Sequence, residues 1–405
     1  MTKAEFFRDA RNDLSGPLAG VRVVEATTTA AGPICAATLA DLGADVIKVE
    51  TPDGEVSRRL PPMLPGTNIS FVHGTINRNK HSLSLDLRNR EGRDIFLKLA
   101  AEADIVVENF KAGTMDKWGV GYHAVRAVKP DIVYVSITGW GQFGPYSSRP
   151  GYDPIAQAVS GFMSLNGSVD GPPTKDPTAI ADQLGGLHGA IGAMAALRHR
   201  DITGEGQHVD VALLDTLTQN ASLTLAAMGI TAQRNGNEFG FAVPANVFAC
   251  ADGSVYVAVL LDAHWKVLAR TVGHAELADD PGFATIAGRS ENRDVCNAIV
   301  AAWTAEHRGA EVVEILNRVG IPVGPVNSYG DAARDPHVLE RDSLQPTKSE
   351  GGSTIPVYGP VAKFSRTPTR VRTGAPALGE HNDQILAEIG FDVSSRMRLK
   401  NAGII

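Results

Sequence analysis

Val21-Arg-Val-Val-Glu-Ala26, Thr27-Thr-Thr-Ala-Ala-Gly-Pro33, Ile34 to Leu42 closed by Gly43, and Ala44-Asp-Val-Ile-Lys-Val-Glu50 follow one another without interruption. The outer runs are short, apolar and rich in Val and Ile, which suits buried strands; the run from Ile34 has helical character and stops at a glycine. Residues 21–50 therefore spell strand, loop, helix, strand. Strands this apolar predict a parallel sheet covered on both faces, an α/β class. Ligands of such sheets bind at the carboxyl ends of the strands, beside the first loop. Glu50 ends the second strand where a ribose-binding acid would stand, but the loop holds only Gly32 before Pro33 and no G-x-G-x-x-G, which argues against a nicotinamide dinucleotide.

The pattern continues outward. Residues 51–71, rich in Pro, Gly and charge, read as an irregular excursion, with Arg58 and Arg59 as phosphate contacts or solvated surface. Lys80 stands just before an alternating Leu83, Leu85 and Leu87. Asn89 caps a predicted helix from Arg90 to Ala103, whose Ile95, Phe96, Leu99 and Ala100 share a core face. Asp104 to Glu108 is a further strand ending in Asn109-Phe110-Lys111, a pair fit to grip a heterocycle or, equally, a turn with a buried Phe. Asp131 to Ile137 is another strand; Pro154 to Met163 reads as helix, 198–208 as a charged turn, and Val209 to Leu213 as a strand passing into a helix that ends near Gly229.

From about Ile230 the character shifts. A hairpin around Asp252-Gly253 and helical stretches from Trp265, Arg293 and Ala310 predict a smaller α+β domain, with Ile321 to Asn327 as its exit linker. The expected division is 1–229, 230–327 and 328–405, the last segment packing back on the first.

Composition narrows the function. The 405 residues carry a formal charge of −7 with Lys and Arg scattered, which argues against nucleic acid or an anionic membrane as the main partner. Cys35, Cys250 and Cys296 lie far apart without CxxC spacing, so neither a zinc site nor a disulfide framework is expected. No apolar run approaches the ~20 residues that span a bilayer, and the first residues lack a signal peptide's apolar core, so a cytoplasmic protein is expected.

One stretch stands out chemically. Asp182 precedes Gly185, Gly186, Gly189 and Gly192 with Ala193, Ala195 and Ala196 between and beyond them. Each glycine inside a helix costs about 1 kcal/mol against alanine, so four of them imply close packing or a ligand. By residue type Asp182 reads as a helix N-cap or as a nucleophile, and the two are compatible if the helix terminus keeps it ionised. His188, nearly two turns on, reads as a core or surface histidine.

Over nearly its whole length the chain resembles the class III CoA-transferases. The resemblance is carried by Gly32-Pro33 with Leu42 to Glu50, Asn79-Lys80, Leu85-Asp-Leu87, Val107-Glu-Asn-Phe110, Gly151-Tyr-Asp153, the Asp182 segment with Thr203-Gly-Glu-Gly-Gln207, Gly320 to Val326, Asp335-Pro336 and Leu378-Gly-Glu-His381. It implies a Rossmann-like large domain built from both chain ends, a smaller inserted α+β domain, and an interlocked homodimer. It further implies that Asp182 is the catalytic aspartate, that Lys80, Asn109 and Phe110 line the coenzyme A site with Lys117 as a phosphate contact, and that Thr28, Thr29, Ala30 and Ala31 pass beside the thioester. Coenzyme A and acyl-CoA are then substrates, a free carboxylic acid is the acceptor, succinyl-CoA is the donor by family habit, and neither a tightly bound cofactor nor a metal is expected. The loop 28–31 lacks the His and Gln of formyl-CoA transferase, so formate and oxalate do not fit. Two other readings remain: an α-methylacyl-CoA racemase, which pairs such an aspartate with a histidine where this chain has Tyr152, and a non-catalytic CoA-binding protein.

Overall fold

A computed structural model describes residues 1–405. The chain divides into two units, a larger one of residues 1–163, 175–230 and 337–405 and a smaller one of 164–174 and 231–336.

The larger unit opens with the expected βαβ element: β1 (Arg22–Ala26), α1 (Ala31–Asp41) and β2 (Asp45–Glu50). Helix α1 starts three residues before the expected Ile34. Pro33 lies in its first turn, where a missing N–H removes no helical hydrogen bond. Next come β3 (Lys80–Ser84), α2 (Arg90–Ala101), β4 (Ile105–Glu108), β5 (Val133–Thr138), α3 (Asp153–Val159), α4 (Ile180–Thr203) and β6 (His208–Ala212). The six strands form one sheet in the order β3-β2-β1-β4-β5-β6, every pair parallel. Both Val46 and Ile105 pair with Val23, so β1 lies between β2 and β4, and the order of addition reverses at β1/β4. The crevice at the carboxyl ends of those two strands is where such sheets take ligands.

Successive strand residues face opposite sides, and both sides are buried. Val24, Ile47 and Val106 pack with Phe96 and Leu99 of α2. Val23, Val46 and Val107 pack with Leu39 of α1 and Ala190 and Ala193 of α4. The stretch read as a charged turn begins as helix: α4 runs to Thr203 and stops at Gly204, whose φ of 76° is left-handed.

In the smaller unit β7 (Ala245–Cys250) and β8 (Gly253–Ala258) form the expected hairpin, and α5 (Asp262–Thr271), α6 (Arg293–Ala305) and α7 (Gly309–Arg318) cover it around Trp265, Val300 and Leu316. The expected exit linker is instead sheet. β9 (Val323–Pro325) pairs antiparallel with β8, Val323 opposite Val257, and the unit extends to Pro336. A three-residue edge strand tolerates the Pro and Gly that made it look like a linker.

The chain then returns to the larger unit through a hairpin, β10 (Leu344–Lys348) and β11 (Thr354–Tyr358), and two helices, α8 (Asn382–Glu388) and α9 (Val393–Asn401). The free edge of β3 is capped there. Ser82 N–H donates to His381 Nδ1 (3.2 Å), His381 N–H to Ser82 O (3.1 Å) and Ser84 N–H to Asn382 Oδ1 (2.8 Å). No helix is long and apolar enough to cross a membrane.

Candidate active site

The glycines of α4 explain where Asp182 ends up. A Cβ on Gly186 would stand 2.7 Å from the Ala31 carbonyl oxygen; one on Gly189, 2.6 Å from Ile137 Cδ1; one on Gly192, 2.7 Å from Val209 Cγ1. Lacking Cβ atoms, the helix comes into direct contact with α1, β5 and β6. Asp182, Gly186 and Gly189 are neighbours at helical spacing, so Asp182 lies one turn ahead of the contact with Ala31, beside the sheet's carboxyl ends.

Asp182 is not the N-cap expected of it. Ala179 holds that position at φ 55°, and Asp182 is the third residue of the helix. The helix start is served by Asp153, whose Oδ1 accepts the Ala181 N–H (2.8 Å) while its Oδ2 accepts from Gln157 Nε2 (2.7 Å). Nor does the terminus keep Asp182 strongly acidic. Burial, and then the neighbouring Asp153 carboxylate, push its pKa up to about 7, with no hydrogen bond to the carboxylate to offset them. A half-buried carboxylate with no partner and a titration near neutrality is a candidate for chemistry.

It opens on a cavity of about 240 Å³. The same walls carry Thr28, Thr29, Ala30 and Ala31 from the loop after β1, and Asn109 and Phe110 from the end of β4. Asn109 clamps that loop: its Oδ1 accepts the Thr28 N–H and its Nδ2 donates to the Thr28 carbonyl, both at 2.8 Å. Phe110 packs edge-on against Trp118, ring centroids 4.9 Å apart. Seven of the nine residues expected at the site thus meet in one place.

Lys80 and Lys117 do not. Lys80 lies inside β3, 2% exposed, and its Nζ donates to Pro33 O and Asn77 Oδ1 (both 2.9 Å) and pairs with Glu25 Oε2 at 2.7 Å. Burial, opposed by Glu25, brings its pKa down to about 8. It ties β3 to β1 and α1 and does not line the cavity. Lys117 is exposed at the end of a short helix, Thr114–Lys117, outside the cavity wall. Arg58 is engaged too, donating through Nε and Nη2 to Glu50 (both 2.7 Å), so neither it nor Glu50 awaits a nucleotide. His188 bonds the Leu184 carbonyl through Nδ1 at 2.8 Å, within its own helix.

Two basic residues that line the cavity were not singled out from the sequence. Lys111 directly follows Phe110, and Arg149 stacks over the Tyr146 ring at 3.8 Å. The one available signal for Arg149 was a lone cation in the Pro/Ser loop ahead of Gly151-Tyr-Asp153. Tyr152 also lines the wall and is exposed. The arrangement offers an anionic nucleophile, small residues around it, and two cations for an anionic ligand.

Comparisons with known proteins identify relatives of the chain. A profile for the family described as CoA-transferase family III matches residues 18–382. The chain is 37% identical to succinate–glutarate CoA-transferase of Agrobacterium fabrum, over 92% of this chain and 96% of that one. It is 36% identical to succinyl-CoA:mesaconate CoA-transferase of Haloarcula hispanica, over 93% and 97%. The crystal structure of a CAIB/BAIF family protein from Brucella suis superposes with a TM-score of 0.82 at 36% identity, covering 93% of this chain and all of that one.

Proposed function

Since the chain belongs to CoA-transferase family III, and is thus a CoA-transferase, we propose that Asp182 moves coenzyme A from an acyl-CoA to a free acid by becoming acylated itself. The observation that carries this reading is the unpartnered Asp182 carboxylate on the wall it shares with Thr28–Ala31, Asn109 and Phe110. A carboxylate oxygen of Asp182 attacks the thioester carbonyl, the C–S bond breaks, and coenzyme A leaves as thiolate. The product is a mixed anhydride, about as reactive as the thioester, so activation is retained. The thiolate then attacks the aspartyl carbon, the anhydride C–O bond breaks, and the donor acid departs as carboxylate. The acceptor carboxylate repeats both steps in reverse, releasing first thiolate and then Asp182. No net proton moves. Backbone N–H groups at the start of α1, beside Ala30 and Ala31, supply the tetrahedral intermediates with donors, one of which is typically worth ~3 kcal/mol.

The relatives are named for succinyl, glutarate and mesaconate chemistry, which supports succinyl-CoA as donor and a small dicarboxylic acid as acceptor. Lys111 and Arg149 are the cations that meet such anions. The working unit we propose is a homodimer, interlocked as in the class III enzymes. Leu187 and Ile191 on α4 and Leu223 and Met228 beyond β6 are apolar and 44–75% exposed in the single chain, a surface that a second copy would cover. The three unpaired cysteines suit a reducing compartment.

The test is a mass measurement. Quenching the protein with succinyl-CoA during turnover should leave the peptide containing Asp182 heavier by coenzyme A. Transfer that proceeds while that peptide never gains mass would rule the mechanism out.

A further inference from the structure

Under the cavity lies a cluster of buried charge that the transfer steps do not use. Glu25 and Lys48 are completely buried, Lys80 is 2% exposed and Glu55 is 7% exposed. Lys48 Nζ donates to Glu25 Oε1 and to the Thr27 carbonyl (both 3.2 Å) and stands 3.8 Å from Glu55 Oε1. Glu55 follows β2 and opens a one-turn helix, Val56–Arg59, by accepting the Ser57 N–H at 2.8 Å. Capping that turn needs one acceptor contact. The same Oε2 takes two donors from another part of the chain, the Thr28 hydroxyl and the Thr29 N–H, both at 3.1 Å.

These contacts account for the loop beside Asp182. The Thr27 carbonyl goes to Lys48, the Thr28 N–H and carbonyl to Asn109, and the Thr28 hydroxyl and Thr29 N–H to Glu55. Side chains from the ends of β2 and β4 thus do what neighbouring backbone does in an ordinary turn. Thr29 needs such holding, because its φ of 69° is left-handed and unfavourable for a β-branched residue.

We infer that Glu55 is a positioning residue for transfer: its carboxylate fixes the Thr28-Thr29 turn and so sets where the acyl group lies against Asp182. Glu55 touches neither the cavity nor any reacting atom, so it acts through Thr28 and Thr29. The carboxylate form is required because one oxygen serves three donors while the other faces the Ser57 hydroxyl, Lys48 and His73 (3.5 Å). A Gln amide would turn an N–H₂ onto one of those groups.

The kinetic consequence rests on the proposed transfer reaction; the conformational one does not. Three variants separate them: Glu55→Gln, Thr28→Val, which removes one of the two links to the loop, and Thr28→Ser, which keeps the hydroxyl. Glu55→Gln should lower kcat for coenzyme A transfer roughly 10- to 100-fold, the scale of a small misplacement at the reacting centre, with KM for acyl-CoA little changed. Thr28→Val should fall several-fold below Thr28→Ser, which keeps the hydroxyl bonded to Glu55. Hydrogen exchange on the unliganded protein should show faster exchange at residues 28–30 in Glu55→Gln and Thr28→Val only. A folded Glu55→Gln with wild-type kcat, or with wild-type exchange in that segment, overturns the inference. If Glu55→Gln does not fold, Thr28→Val decides by the same two readouts. If the wild-type protein transfers no coenzyme A, the function proposed above fails while the exchange result still judges the loop.

Discussion

Two sets of carboxylates sit within the larger unit, and they are built in opposite ways. Asp182 stands at a cavity wall with burial and Asp153 acting on it and no donor bonded to it. Glu25 of β1, Glu50 of β2 and Glu55 just beyond it are crowded with partners: Lys48 and Lys80 on Glu25, Arg58 on Glu50, and Thr28, Thr29, Ser57 and His73 around Glu55. Against its burial, His73, Lys48 and Ser57 hold the Glu55 carboxyl well below the usual carboxylate range. A saturated carboxylate is a fastener; its lone pairs are spent on the fold. A nucleophile must keep them free. On the proposed mechanism, the number of donors around an acid separates the two kinds better than its depth does.

The contrast breaks first at Asp182. Asp182→Ala should lower coenzyme A transfer by at least about 10³-fold while leaving the unfolding midpoint near wild type, since no hydrogen bond is lost. A variant that still turns over well would make Asp182 one more structural acid. Next in size, Lys80→Met should cost about 3 kcal/mol in chemical denaturation, because it leaves Glu25 Oε2 without a partner in the interior, Lys48 serving only Oε1. Its coenzyme A affinity, measured by calorimetry on folded protein, should stay close to wild type; a large loss of affinity with little loss of stability would restore Lys80 to the ligand site.

Glu108 sharpens the comparison from between the two sets. It is 4% exposed at the end of β4, and burial pushes its pKa up to about 7 although the Phe110 N–H bonds it at 2.8 Å. A carboxyl whose folded pKa exceeds its unfolded value opposes folding once ionised. Its contribution is harmless below pH ~4.5, and stability should decline as pH rises through about 7, by roughly 3 kcal/mol in all. Glu108→Gln should flatten that part of the stability curve, and denaturation at pH 5 and pH 8 checks it. The smallest effect concerns rate. kcat/KM should rise about tenfold per unit of pH up to an apparent pKa about 7 as Asp182 ionises, and Asp153→Asn should move that limb to lower pH by less than one unit.

The sequence carried the sheet well, and the reason is local. Apolar runs of five or six residues broken by glycine are visible without partners, so β1, α1 and β2 lay close to where they were expected. Asp182 was legible through its glycines, because the need for close packing is written in the residues themselves. Its cap was not, since Asp153 is 28 residues from the N–H it accepts. The setting of Lys80 was hidden for a related reason: only the resemblance placed it at the ligand site, and the Glu25 that allows a lysine to be buried there lies on another strand. Long-range charge pairing leaves no periodic trace. The three-residue β9 was equally hidden, being too short for any pattern and punctuated by Pro and Gly.

The capped edge of β3 has a consequence for how the molecule is made. Ser82 and Ser84 are bonded by His381 and Asn382, about 300 residues later. At the usual ribosomal pace of ~5–20 residues per second, the outermost strand of the sheet must wait roughly 15–60 s for its cover to be synthesised. During that interval its amides are open to other nascent chains. The nascent protein should therefore depend on a holding chaperone, or on the solubility of its first half, more than its finished form suggests.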